Sequence, residues 1–380
     1  MPSFSSDADI VRPSSRPGAR ETASSELELS VRSGRDSALV SLLEIRGSKL
    51  ARNLKRAKEE SVLKADVFPD IEITLRSGSP VRTYRLERSG NLFDQAASRR
   101  LRLPSDLADR LLVYAKTLRA AHYGRLVPWS EARLLLPRKS FFTITDLESG
   151  LSFRVQRRAG SSHADVQPIS KEDSAIMKQI YGGSWSWRRR AILVRNGRER
   201  IAASMNGMPH GGDGIPDNGF KGHFCVHFLN STSHRSDIPD PAHQLMVYKA
   251  TGDLRSYFDK ASPRLLALSF IEALNQKDEE MLEQLWEDAP PGKKESIAKW
   301  MGSLQSVSVK ARNSSRRSRK AEPVPDRSDA LSEEIKIPAI FRGDRIGTLH
   351  AELEFKFSRA SSQAPWRFED VVSSHSSLIP

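Results

Sequence analysis

The sequence predicts an α+β protein with a β-rich centre, and three observations carry that reading. Period-two apolar runs separated by glycine turns recur from Val67 to Ala203. Among them lie capped patterns of helical period, beginning at Ser105 and Ser170. After Pro263 the order resets to helices followed by strands, which marks a separate C-terminal domain.

Residues 1–35 are rich in Ser, Arg, Asp, Glu and Pro with no apolar period, and read as a disordered N-terminus. In 36–66, Leu39, Leu42, Leu43, Leu50 and Leu54 fall at roughly helical spacing beside Arg52, Lys55, Arg56 and Lys58, so this stretch reads as a helical linker. Residues 67–136 form a small α+β subdomain. Ile71, Ile73 and Leu75 alternate, Gly78 turns the chain, and Val81, Tyr84 and Leu86 return as a hairpin. Ser105 then caps a helix whose apolar face is Leu107, Leu111, Leu112, Ala115 and Leu118, ending by Gly124.

Residues 137–255 open on Phe142, Ile144 and Leu147, turn at Glu148-Ser149-Gly150, and return through Leu151, Phe153 and Val155. A short helix follows Ser170, with Asp173 completing a partial capping box and Gly182-Gly183 as terminator. Ala191–Val194 and Ile201–Ala203 read as strands joined at Asn196-Gly197, a strong hairpin signal. In 262–380, Pro263 opens a helix with Leu265, Leu266, Leu268, Phe270, Ile271 and Leu274, and a second runs from Met281 to Trp286. Strands follow at Val307–Val309, Ile335–Phe341, Ile346–Phe357 and Trp366–Val372. Helices leading into long antiparallel strands resemble the cone-shaped α+β fold of the nuclear transport factor 2-like superfamily. A Ser-rich basic run from Arg312 to Lys320 reads as a solvated loop insertion, with polyanion binding as its other reading.

Composition narrows the function classes. The 380 residues suit two or three domains at about 150 residues each. No apolar run approaches the roughly 18 residues of a membrane helix. The first twenty residues show no apolar core or cleavage pattern, so no signal peptide is read in them. One cysteine excludes a disulfide framework and a multi-cysteine zinc module. The formal charge is +13, and its excess sits in the middle: 67–139 carries 14 basic and 7 acidic residues, whereas 256–380 carries 19 of each. A solvated surface accounts for that as well as an anionic partner does. The partner would be a cell-wall polymer, an acidic substrate or, with less support, nucleic acid.

The chemistry concentrates in MPHGGDGIPDNGFKGHFCVHFLNSTSH. Five of the nine histidines (His210, His223, His227, His234 and His243) fall within 34 residues, around the single Cys225. Three readings compete. As a nucleophile, Cys225 needs a base and oxyanion donors. In a strand, His223, Cys225 and His227 share an accessible face while Phe224, Val226 and Phe228 enter the core. The glycine-rich loop can fold His210 back as base, and His210 and His223 are indistinguishable in that role. As a metal site, His223 and His227 with His210, Cys225 or Asp213 would bind zinc, but the spacing matches no established zinc motif. As a structural element, Cys225 is a small buried hydrophobe.

His210-Gly211 and His223-Phe224-Cys225-Val226-His227 resemble the catalytic stretch of the YkuD-type L,D-transpeptidases, which carries a His-Gly, a variable loop and then Ser/Thr-His-Gly-Cys before an aliphatic residue and Arg or Asn. Here Gly222 replaces the Ser/Thr, Phe224 the Gly, and His227 the Arg or Asn. The resemblance implies a β-rich catalytic domain, Cys225 as nucleophile, His223 as base, and His210 with Gly211 as supporting residues near the substrate. It also implies His227 at the substrate-binding position, a peptidoglycan peptide as substrate, no cofactor, and work in the cell envelope. Two neighbouring groups could serve such a site. His163 and Asp165, in a loop, would orient a base or bind substrate, or else make an Asx-type turn. Trp185 and Trp187, before Arg188-Arg189-Arg190, would offer two indoles on one strand face for stacking, or else enter the core.

Overall fold

The computed structural model describes residues 26–46, 53–54, 57–76, 81–197, 199–212, 214–233, 238–287, 289, 291–309, 329–343 and 346–375. The basic run Arg312–Lys320, His234 and Asp213 lie outside them. The fold is mixed α and β, and the chain divides into two units. One takes the residues to Ser33 with Ala38–His122; the other takes Gly34–Ser37 and everything from Tyr123. Among the described residues no helix is long and apolar enough to cross a membrane.

Among the described residues the first unit is a seven-stranded antiparallel sheet with one long helix, and residues 53–54 are also helical. Its strands are β1 (Glu26–Val31), β2 (Ser41–Arg46), β3 (Lys58–Ser61), β4 (Val67–Arg76), β5 (Arg82–Glu87), β6 (Leu92–Asp94) and β7 (Arg99–Arg102), ordered β2-β1-β4-β5-β6-β7-β3. The expected hairpin is β4–β5, and the helix expected after Ser105 is α1 (Ser105–His122), which buries Leu107, Leu111 and Ala115 against β1 and β2. Two expectations are overturned. Residues 26–31, read as disordered, form β1, and the stretch read as a helical linker contains β2 and β3. The reason is long-range pairing. β1 lies between β2 and β4, which buries Leu27, Leu29 and Val31 on partners distant in sequence.

The second unit begins with α2 (Trp129–Leu135) and a closed six-stranded barrel. Its strands are β8 (Phe141–Asp146), β9 (Ser152–Ala159), β10 (Ala164–Pro168), β11 (Arg190–Asn196), β12 (Glu199–Met205) and β13 (Phe224–His227). Every neighbouring pair is antiparallel: β8–β9, β9–β10, β10–β13, β13–β12, β12–β11 and β11–β8. Phe142, Ile144, Phe153, Val155, Val166, Ile192, Val194, Met205, Phe224 and Val226 fill the interior. The expected short helix is α3 (Lys171–Ile180). The Ser170 hydroxyl accepts from the Asp173 N–H at 3.1 Å, and Gly182 and Gly183 end the helix with positive φ.

One ion pair ties the barrel wall. Arg190, at the start of β11, donates Nε and Nη2 to the two carboxylate oxygens of Asp146 at the end of β8, at 2.9 and 2.5 Å. Both side chains are buried, and Asp146 also accepts from the backbone N–H and hydroxyl of Ser149, closing the turn to β9. This placement removes Arg190 from the exposed arginine cluster expected beside the tryptophans.

Helices α4 (Pro241–Lys249), α5 (Leu254–Lys260), α6 (Pro263–Gln276), α7 (Glu279–Leu285) and α8 (Pro291–Ser303) follow, then a sheet ordered β14 (Leu304–Val309), β15 (Ser332–Gly343), β16 (Gly347–Ser358), β17 (Arg367–Ser373). The expected helices and all four strands are present; α4, α5 and α8 are additional. α6 packs on β14 and β15, and Phe270 stacks on Phe368 while meeting Phe355 and Trp286 edge-on. Such aromatic pairs each contribute about 0.5–1.5 kcal/mol beyond area burial.

Asp146→Ala is expected to cost about 3–5 kcal/mol of unfolding free energy, because it leaves the buried guanidinium only the exposed Glu148 carboxylate, 3.0 Å from its Nη1. Urea denaturation checks it. The double change Asp146→Leu with Arg190→Met should recover most of the loss, and a single-variant loss near zero would show that the pair is not structural.

Candidate functional site

The site is built on the shortest barrel strand. β13 alternates: Phe224 and Val226 enter the core, and Cys225 and His227 take the opposite face. That face was expected to be accessible. It is instead covered, with Cys225 5% exposed and His227 also buried. The cover over His227 comes from α4, which lies on β11, β12 and β13 and lays the His243 ring against His227 at 3.8 Å between centroids. Asp240 caps this helix by accepting from the N–H groups of Ala242 and His243, and pairs with Arg189 at 2.7 Å.

Cys225 lies opposite Asp165 in the β10–β13 register. Asp165 is therefore a strand residue rather than part of a turn, and its Oδ1 is 3.1 Å from His163 Nε2 and 3.8 Å from His223 Nε2. His163 is fully buried, and its Nδ1 donates to the Thr232 carbonyl at 2.8 Å. Burial removes His163 from direct contact with a substrate.

His210 and His223 face each other across an isolated antiparallel bridge, exchanging backbone hydrogen bonds of 2.9 and 2.8 Å. Glycine is required on both sides of it. Gly211 has φ +73°, and a Cβ there would sit 2.2 Å from the His223 ring; Gly222 has φ +100°, and a Cβ there would sit 2.4 Å from the His210 carbonyl oxygen. Gly211 thus lets the two rings approach to 4.6 Å, edge to face.

The bridge distinguishes the two histidines. His210 Nε2 is 3.2 Å from Cys225 Sγ, while its Nδ1 is 2.8 Å from the Met208 carbonyl. A carbonyl only accepts, so Nδ1 carries the proton in the neutral ring and Nε2 accepts from the thiol. His223 sits behind, between the His210 ring and Asp165.

The Cys225 thiol is pushed up to about 12, by burial first and then by the nearby Asp165 charge, against a smaller lowering from the Asn206 side chain. The thiol is therefore protonated near neutrality. Reaction at sulfur requires proton transfer to His210 as the new bond forms. Asn206 was not singled out in the sequence. Its only signal is its place, buried directly after β12 and four residues before His210.

The remaining expectations divide. His227 does not stand at a substrate-facing position: it is stacked between His163, at 4.6 Å, and His243, and its Nδ1 meets the Ser231 hydroxyl at 3.0 Å. The two tryptophans share no strand face, because β11 begins only at Arg190. Trp185 packs edge-on against the core residue Phe220, whereas Trp187 is 52% exposed with its ring 5.1 Å from His210. Arg188 is exposed, but Arg189 and Arg190 are held by Asp240 and Asp146. No family model matches the chain, and no curated protein matches it either.

The stacked imidazoles set a pH dependence. Burial, then the neighbouring His243 and His163, hold His227 well below the usual histidine range; burial, then Arg189 and His163, do the same for His243. The unfolded chain takes up protons at an ordinary value of about 6.5, which the folded chain refuses. Stability is thus full above that value and falls as the pH drops below it. Urea midpoints measured from neutral to mildly acidic pH should decline; a His243→Gln variant should decline less. Equal slopes in the two proteins would contradict the assignment.

Proposed function

We propose that the barrel is a cysteine-dependent acyltransferase or amidase acting on a peptide through a Cys225 thioester. The observation that carries this is the 3.2 Å contact between Cys225 Sγ and a His210 Nε2 whose tautomer is set by the Met208 carbonyl. As sulfur attacks the carbonyl carbon, the thiol proton moves to His210 Nε2. The Asn206 side chain, whose proximity to sulfur lowers the thiol pKa, is the side chain we assign to the developing oxyanion. Collapse breaks the C–N bond, and His210 returns the proton to the leaving amine. An incoming amine or water then takes the acyl group and restores the thiol.

The resemblance to L,D-transpeptidases supports a cell-wall peptide as substrate and the cell envelope as the place of action. The exposed Trp187 ring beside His210 supports binding of a substrate along that edge. A second reading, a non-catalytic cell-wall or polyanion-binding protein with a degenerate fold, is favoured by the burial of Cys225.

Incubation with an activated acyl-peptide ester, followed by mass spectrometry, separates the two. The acyl group should appear on Cys225 and vanish in Cys225→Ser. His210→Ala should slow acylation by about 10²–10⁴-fold, the usual worth of a positioned base. Asn206→Ala should slow it by about 10²–10³-fold if its amide serves the oxyanion. Acylation elsewhere, or a thiol that alkylates with iodoacetamide only after denaturation, would leave the binding protein as the better reading.

A further inference from the structure

Behind the thiol the structure assembles a second donor set. One ligand atom from each of His163, Cys225 and His227 lies within 4.8 Å of the other two, and all three residues are buried. They come from separate places: His163 precedes β10, while Cys225 and His227 share one face of β13. The set keeps Cys225 and His227 from the one the sequence suggested and has His163 in place of His210 and His223.

We propose that His163, Cys225 and His227 form a three-donor binding site for a thiophilic divalent cation of the zinc class, with the fourth position open. The orientation of both rings carries this. His163 Nδ1 donates to the Thr232 carbonyl, and His227 Nδ1 meets the Ser231 hydroxyl, so each ring has Nε2 as its ligand atom. A ring fixed through its second nitrogen by an oxygen partner is the usual support of a metal-ligating histidine. Asp165 Oδ1, 3.1 Å from His163 Nε2 on the residue paired with Cys225, adds a negative charge beside the three donors. Two imidazoles and a thiolate suit a zinc-class ion, which takes nitrogen and sulfur donors and can keep a fourth position for water. Metal bonds of about 2.0–2.3 Å would draw the side chains inward by roughly an ångström. Binding releases the thiol proton to solvent and replaces the S–H bond with a metal–sulfur bond.

A metal-bound Cys225 cannot attack a carbonyl. Zinc-class ions would therefore act as reversible inhibitors of the acyl transfer proposed above. The site itself rests on geometry, and only that consequence rests on the functional reading.

Cobalt(II) titration of the full chain is the test, because a bound thiolate gives a sulfur-to-metal charge-transfer band that the aqueous ion lacks. One cobalt per chain with that band, displaced by zinc, is expected. Cys225→Ser should lose the band. Ser231→Ala should keep it while weakening affinity about 10- to 100-fold through the loosened His227 ring. His163→Gln should weaken it at least as much. Only the aqueous spectrum in wild type, or unchanged affinity in Ser231→Ala and His163→Gln, would overturn the site. The two proposals fail separately: acylation of Cys225 without cobalt binding removes the metal site alone, and cobalt binding without acylation removes the enzyme alone.

Discussion

A four-residue strand closes the barrel, and the candidate site depends on its register. β13 pairs with β10 through Asp165 opposite Cys225, and with β12 through Ser204 opposite His227. A strand alternates its side chains with a period of two, so a slip of one residue would turn every one of them to the other face. Phe224 and Val226 prevent that slip. Both are buried in a continuous aromatic and aliphatic core, and exposing either would cost more than a short ladder of hydrogen bonds returns. The apolar pair holds the polar pair in place.

Around that strand the polar groups are arranged against the cost of burial. The His210–His223 bridge satisfies its own backbone and brings one imidazole to the sulfur. His227 and His243 have hydroxyl partners, Ser231 and Ser204, on one nitrogen each and a neighbouring ring on their faces. Buried polar groups without partners cost about 1–3 kcal/mol each, so a cluster of this size persists only when nearly every member is bonded.

Much of this was legible in the sequence, and the failures have physical causes. The alternation His223-Phe224-Cys225-Val226-His227 fixes which side chains face the core, because period two admits no other assignment within a strand. Whether the opposite face meets water depends on a helix that the pattern conceals. In α4, His243, Gln244, Leu245, Met246 and Val247 are all buried, so no polar stripe marks it as amphipathic. β2 was misread as helical because leucines near helical spacing also satisfy alternation, and β1 was misread as disordered because its brief alternation of Leu27, Leu29 and Val31 is held by pairing with β2 and β4. Asn206 gave no signal because its role comes from where the loop after β12 returns. Trp187 was recognised, but the chain before β11 is irregular, and strand alternation does not govern which tryptophan turns outward.

Trp187 has one further consequence. Six tryptophans are present, and among the described residues this is the one whose ring meets the candidate base. Indole emission is sensitive to a neighbouring imidazole, and an exposed indole is accessible to solvent quenchers that a core indole excludes. The protein thus carries an optical reporter at the mouth of its own site, readable without an attached dye and silenced selectively by changing a single ring.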